Sequence, residues 1–153
     1  MSRRIVILVL IGLSALAPLA GCGKRLPPLV PVRGSVLLNG KPLPKAAVTF
    51  VPQLDTFGAE STSTAVTDEN GQFTLTCAYQ GQPGAVAGEH IVLVTEPSLP
   101  EELRNSRSTR ELANFRAKLG NRPIPAKYSS VSHSPLKIEV KEGQEEIKLE
   151  LRR

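Results

Sequence analysis

This 153-residue chain has very little of the side-chain chemistry on which enzymes and metal centres most often rely: two His, two Cys and no Trp. Two Cys and two His supply no more than the four ligands of a single tetrahedral zinc centre. Aromatics stop at four Phe and two Tyr, too few for the stacking platforms of single-strand binders. Nucleic acid is therefore not an expected partner, despite a formal charge of +5. Long hydrophobic runs are also missing. The apolar stretch Ile5 to Ala17 covers thirteen residues, short of the roughly 20 that a helix needs to cross a bilayer. What is plentiful is turn chemistry, thirteen Pro and twelve Gly, which favours short strands over long helices.

That short apolar run has a meaning of its own. Arg3 and Arg4 precede it and Leu19-Ala20-Gly21-Cys22 closes it, the layout of an export leader with small residues at its cleavage point. The closing four resemble the lipobox of bacterial lipoproteins, in which the Cys thiol receives a diacylglyceryl group and the leader is cut just before it. The reading expected is a signal peptide over 1–21, a lipidated Cys22 and a mature chain from 22 onward. Removing the leader takes two basic residues and no acid, so the formal charge falls from +5 to +3. Residue 23 is Gly, not the Asp that retains enterobacterial lipoproteins in the inner membrane. Each buried methylene of an acyl chain contributes about 0.8 kcal/mol, so two or three chains hold a protein far better than one. Cys77 is then the only thiol left; it lies in phase with Phe73 and Leu75 and reads as a small buried hydrophobe.

Residues 22–31 read as the lipidated Cys followed by a Pro-rich spacer, with Lys24 and Arg25 either solvated or set against anionic headgroups. From residue 32 to 153 strand signals recur. Val32, Val36 and Leu38 share one face, Asn39-Gly40 is a hairpin turn, and Val48 and Phe50 alternate with Thr49. Ser61 to Thr67 predicts an edge strand wet on both faces. After the turn Asp68-Glu69-Asn70-Gly71 comes Phe73 to Cys77, then His90 to Thr95, apolar on both faces and hence central. Leu136 to Val140 and Ile147 to Leu151 alternate cleanly on either side of Glu142-Gly143. Seven short strands predict an all-β antiparallel sandwich.

One segment departs from that rhythm. In 98–122, Ser98-x-x-Glu101 and Ser108-x-x-Glu111 are possible capping boxes, and Leu112, Phe115 and Leu119 fall on one helical face before Gly120. A short helix over 109–119 is expected, with a separate turn near 99–104. Arg104, Arg107, Arg110, Arg116, Lys118 and Arg122 make this insertion the most basic part of the chain. They form either a solvated surface or a contact for anionic lipids or envelope polymers.

The run Val32-Arg-Gly-Ser-Val-Leu-Leu-Asn-Gly-Lys-Pro-Leu, with Ala47 to Pro52 and Thr67-Asp-Glu-Asn-Gly-Gln-Phe-Thr-Leu75, resembles the opening of carboxypeptidase regulatory-like domains. With the lipobox, Gly88-Glu-His90, Ile124-Pro-Ala-Lys-Tyr128 and Ser134-Pro-Leu136, the chain is similar to small exported lipoproteins of Planctomycetes. The similarity covers about residues 30–153 and is weakest over 98–122. It implies a seven-stranded Greek-key, transthyretin-like sandwich on a lipid tether, and no activity.

The residues oppose a peptidase. Residue 93 after His90 and residue 136 after His133 are both Leu, so neither His opens an His-x-x-Glu metal pair, and His90 is expected as a partly exposed structural residue. The chain ends Lys-Leu-Glu-Leu-Arg-Arg, without the Tyr-Arg-Gly-Ser ending of the purine-pathway hydrolase of similar fold. Asp68-x-Asn70-Gly71 lacks the later Glu of a calcium loop, because residue 77 is Cys. Lys45 and Lys127 are the candidates for an isopeptide crosslink. No catalytic set, metal or cofactor is expected. The leading expectation is an envelope lipoprotein that binds or scaffolds through its sandwich, held to the membrane by Cys22 and meeting an envelope protein or polymer. Self-assembly through the Ser61 to Thr67 edge and a hydrolase with an unrecognised site are the alternatives.

Overall fold

The computed structural model describes residues 28–54, 58–106, 108–144 and 146–153. Within them the chain is predominantly β. The strands are β1 (Leu29–Val30), β2 (Arg33–Leu38), β3 (Lys41–Pro42), β4 (Ala47–Pro52), β5 (Ser63–Val66), β6 (Gln72–Thr74), β7 (Thr76–Cys77), β8 (Ala85–Val86), β9 (Gly88–Thr95), β10 (Lys137–Val140) and β11 (Ile147–Leu151). One sheet runs β10-β9-β4-β5-β7; the other places β2 between β11 on one side and β3 and β6 on the other. The two sheets enclose one apolar cluster. Val36, Leu38, Phe73, Leu149 and Leu151 enter it from one sheet and Val48, Phe50, Val92, Val94 and Val140 from the other.

Alternation produces this directly. β11 reads buried-exposed-buried-exposed-buried, with Lys148 and Glu150 outward, because successive strand residues point to opposite faces. Asn39 and Gly40 both have positive φ, 52° and 75°, and Leu38 pairs with Lys41 across them. That is a two-residue turn of the kind whose twist matches the strands it joins.

Four features depart from the sequence reading. The sheets are not wholly antiparallel: β11 pairs parallel with β2, Ile147 opposite Gly34 through Leu151 opposite Leu38. Parallel neighbours need a crossover connection, and here everything between β2 and β11 supplies it, so no local turn fixes their relative direction. The spacer ends earlier than its proline content suggests. Leu29–Val30 pairs antiparallel with β8, Val30 is buried, and the Ala87 N–H donates to the Pro28 carbonyl at 2.9 Å. Gly84, at φ 110°, makes room for this, since a Cβ there would strike the Val30 carbonyl.

The Ser/Thr-rich strand is neither at the edge nor wet on both faces. β5 lies between β4 and β7, and Ser61, Ser63 and Thr67 are buried. Small hydroxyls tolerate this by bonding to backbone: Thr67 Oγ1 donates to the Leu43 carbonyl at 2.7 Å and accepts from the Ala46 N–H at 2.8 Å. Finally, His90 is 1% exposed, not partly exposed, because it points inward with Val92 and Val94 and its ring lies 5.7 Å from that of Phe50.

The insertion leaves the sandwich after β9 and forms α1 (Glu101–Arg104) and α2 (Thr109–Lys118). Ser108 caps α2 by accepting from the Glu111 N–H at 3.3 Å, whereas the Glu111 carboxylate turns to Ser106 Oγ at 2.6 Å instead of closing a capping box. Ser98 caps nothing; the residue preceding α1 is Pro100. Leu112, Phe115 and Leu119 share the inner face but are only half-buried. The left-handed residue past the helix is Asn121, at φ 60°, rather than Gly120.

Candidate functional site

Pairing registers give the molecule two ends. Gly88, Pro52, Val140, Arg33 and Ile147 lie at one; Thr95, Ala47, Val66, Leu38 and Leu151 lie at the other. Pro28 enters at the first, beside Ala87. The insertion is rooted at the second. It begins after Thr95, and its return is fastened there by two side chains. Asn121 Nδ2 donates to the carbonyls of Leu38, Lys41 and Pro42 at 3.0, 3.0 and 3.3 Å. Arg122 forms an ion pair with Glu96, Nε to Oε2 2.6 Å, and donates to the Pro44 carbonyl at 2.7 Å. Glu96 Oε1 in turn accepts from the Ile124 N–H at 3.1 Å.

The expected basic residues therefore divide. Arg122 is spent on the stem, and its side chain is only 10% exposed. Arg104 donates to the Leu99 carbonyl at 3.3 Å, and its side chain remains at the surface. Arg110, Arg116 and Lys118 are exposed on α2 and form no ion pair among the described residues. Arg107 lies outside the described residues. So do Leu19, Ala20, Gly21 and Cys22, and with them the proposed lipid attachment.

At the end marked by Gly88 and Val140 a cavity of about 390 Å³ lies against β9 and β10, lined in part by Gln53, Glu89, His90, Lys137 and Glu139. Glu89 and Glu139 face each other across the ladder, and Glu139 is held by Lys141 at 2.7 Å. His90 offers this cavity no solvent-facing base. Its Nδ1 lies 3.0 Å from the Gly88 carbonyl, while Nε2 is buried without a partner. Burial pushes its pKa below the ordinary 6.5, opposed by the Gly88 contact. Cys77 is likewise buried, its Sγ 3.7 Å from the Glu60 carbonyl. At the surface, the Glu60 carboxylate lies below the ordinary carboxylate range because backbone N–H groups, its own and that of Gly58, bond to it.

Neither isopeptide candidate is buried. Lys45 pairs with Glu69 at 3.0 Å in the open, and Lys127 rests 5.2 Å from the Tyr128 ring centroid. The Asp68 carboxylate accepts from the N–H groups of Asn70 and Gln72, both at 2.8 Å, which explains it as a turn residue. Among the described residues no group of three His, Cys, Asp or Glu is placed to hold a metal, and no helix is long and apolar enough to cross a membrane.

Sequence reasoning missed Asn121 and Tyr128. Tyr128 is buried; its Oη accepts from the Arg152 N–H at 2.9 Å and lies 3.2 Å from the Arg152 carbonyl, tying the insertion's exit to the end of β11. The signal for Asn121 was available in its position just past the helix, since Asn tolerates the left-handed region. No protein-family model, curated protein or solved structure matches the chain.

Proposed function

We propose that this chain is a lipid-anchored envelope protein whose sandwich is a non-enzymatic binding or scaffolding module. The observation that carries the reading is Leu19-Ala20-Gly21-Cys22 at the end of a short basic-then-apolar leader, six residues ahead of Pro28, whose carbonyl accepts from the Ala87 N–H. What supports the non-enzymatic half is the fate of the reactive groups. The buried Cys77 and His90 cannot meet a dissolved substrate.

The finer architecture belongs to the same proposal. We read β2, β4, β5, β6–β7, β9, β10 and β11 as the seven principal strands of a Greek-key, transthyretin-like sandwich, the fold implied by the resemblance to carboxypeptidase regulatory-like lipoproteins. In favour is the chain path: β9 returns to the free side of β4, β10 adds beside β9, and β11 crosses to β2 in the opposite sheet.

The test is the intact mass of the protein extracted from membranes of a bacterial host, beside a Cys22→Ser control. A mass that begins at Cys22 and carries acyl chains, lost in the control, is expected. A leader-bearing or unmodified product, with the host's own lipoproteins processed normally, would sink the anchor.

A further inference from the structure

The two ends of the sandwich carry opposite charge. At the end where Pro28 enters, the tether end, Glu60, Glu89, Glu139, Glu142 and Glu146 are exposed against Arg33, Lys137 and Lys141. At the far end the insertion presents Arg104, Arg110, Arg116 and Lys118, with Lys127 and Arg153 beside its root. Its acids, Glu101, Glu102 and Glu111, are fewer, and Glu111 is tied back to Ser106. The chain's own dimensions then limit where each end can go. Six residues from Cys22 to Pro28 reach at most about 20 Å at roughly 3.3–3.6 Å per residue. The eight residues of β9 span roughly 26 Å at about 3.3 Å each.

Resting on the anchor reading above, we propose that the basic insertion binds an anionic polymer standing off the membrane, and not the lipids of the leaflet that holds Cys22. A tether shorter than the domain cannot let it invert, so the insertion cannot be the end that points at the anchoring leaflet. Upright, the insertion stands several Debye lengths of about 8 Å from that surface, where the leaflet's field no longer reaches it. A flexible, repeatedly charged carboxylate or phosphate chain can reach the cations of α2 there, and long-range attraction between opposite charges steers it in.

The full chain, acylated in a host and returned to vesicles, tests this. Fluorescent polygalacturonate is the probe, and vesicles of phosphatidylcholine, with and without phosphatidylglycerol, are the supports. Expected is capture on both, weakening with salt, and reduced roughly tenfold or more by R110E/R116E/K118E, while R110K/R116K retains it. An unchanged thermal transition in the triple variant assigns the loss to charge, not fold. Capture that is absent, or equal in the triple variant, overturns the partner. Capture abolished by phosphatidylglycerol overturns the orientation, since the insertion then lies on its own leaflet. An unacylated Cys22 in the mass measurement overturns the anchor instead, and that result is read separately from capture.

Discussion

The sandwich and the insertion are held by different forces. The sandwich buries Phe50, Leu38, Leu43, Leu75, Leu149 and Leu151 almost completely, and its order follows from removing that surface from water. Neither helix of the insertion contains a buried residue. Its position depends on a polar stem, Asn121 and Arg122, that bonds to carbonyls of the hairpin and of the β3–β4 connection. A segment held this way can vary in length and charge with little effect on the core beneath it.

The sharpest break of that contrast is in the sandwich. Phe50→Ala removes the largest fully buried side chain, in contact with Phe73 and His90, and should cost about 3–5 kcal/mol in a denaturant titration. Gly34→Ala should fall near the same range, because a Cβ there runs into the Ile147 carbonyl and the Phe73 ring inside the β2–β11 ladder. It should lower the thermal midpoint far more than alanine at any exposed glycine.

Asn121→Ala tests the stem. It removes the donors to three carbonyls and should cost about 1–2 kcal/mol, with faster hydrogen exchange confined to 97–122 and little change in the core strands. A core-wide change would show that the two regions are not separable. Leu112→Ala and Phe115→Ala, half-buried on α2, should each cost less than the stem variant in the same titration.

The last prediction concerns pH. His90 is held below its ordinary 6.5 by burial, so the unfolded chain binds this proton more readily than the folded one. The contribution from His90 is present above about 6.5 and declines as pH falls through the depressed folded value. His90→Gln should flatten the fall of the denaturation midpoint between neutral and mildly acidic buffer; an unaltered slope would remove His90 as its source.

How much was legible follows the same division. Ile147-Lys148-Leu149-Glu150-Leu151 and the Asn39-Gly40 turn could be read because alternation and turn chemistry are local. So could α2, from Ser108 and the spacing of Leu112 and Phe115. The parallel partnership of β11 with β2 could not, since the paired residues are more than a hundred positions apart and leave no periodic trace. Composition also misled twice. Prolines 27, 28 and 31 made Leu29–Val30 look like spacer, and hydroxyls made Ser63 and Thr67 look wet, whereas one pairs with β8 and the others are buried. In the candidate contact surface, the basic side chains were visible in the sequence. Which of them is consumed by the stem was not, because Glu96 and Arg122 meet only when the insertion closes.

The parallel pairing of β2 and β11 has a mechanical consequence. The chain enters β2 at Arg33 and leaves β11 at Leu151, at opposite ends of the ladder, so a pull applied at those two points draws the strands lengthwise in opposite directions. The five registered pairs from Ile147–Gly34 to Leu151–Leu38 then share the load together, where a hairpin pulled from its open end would unzip bond by bond.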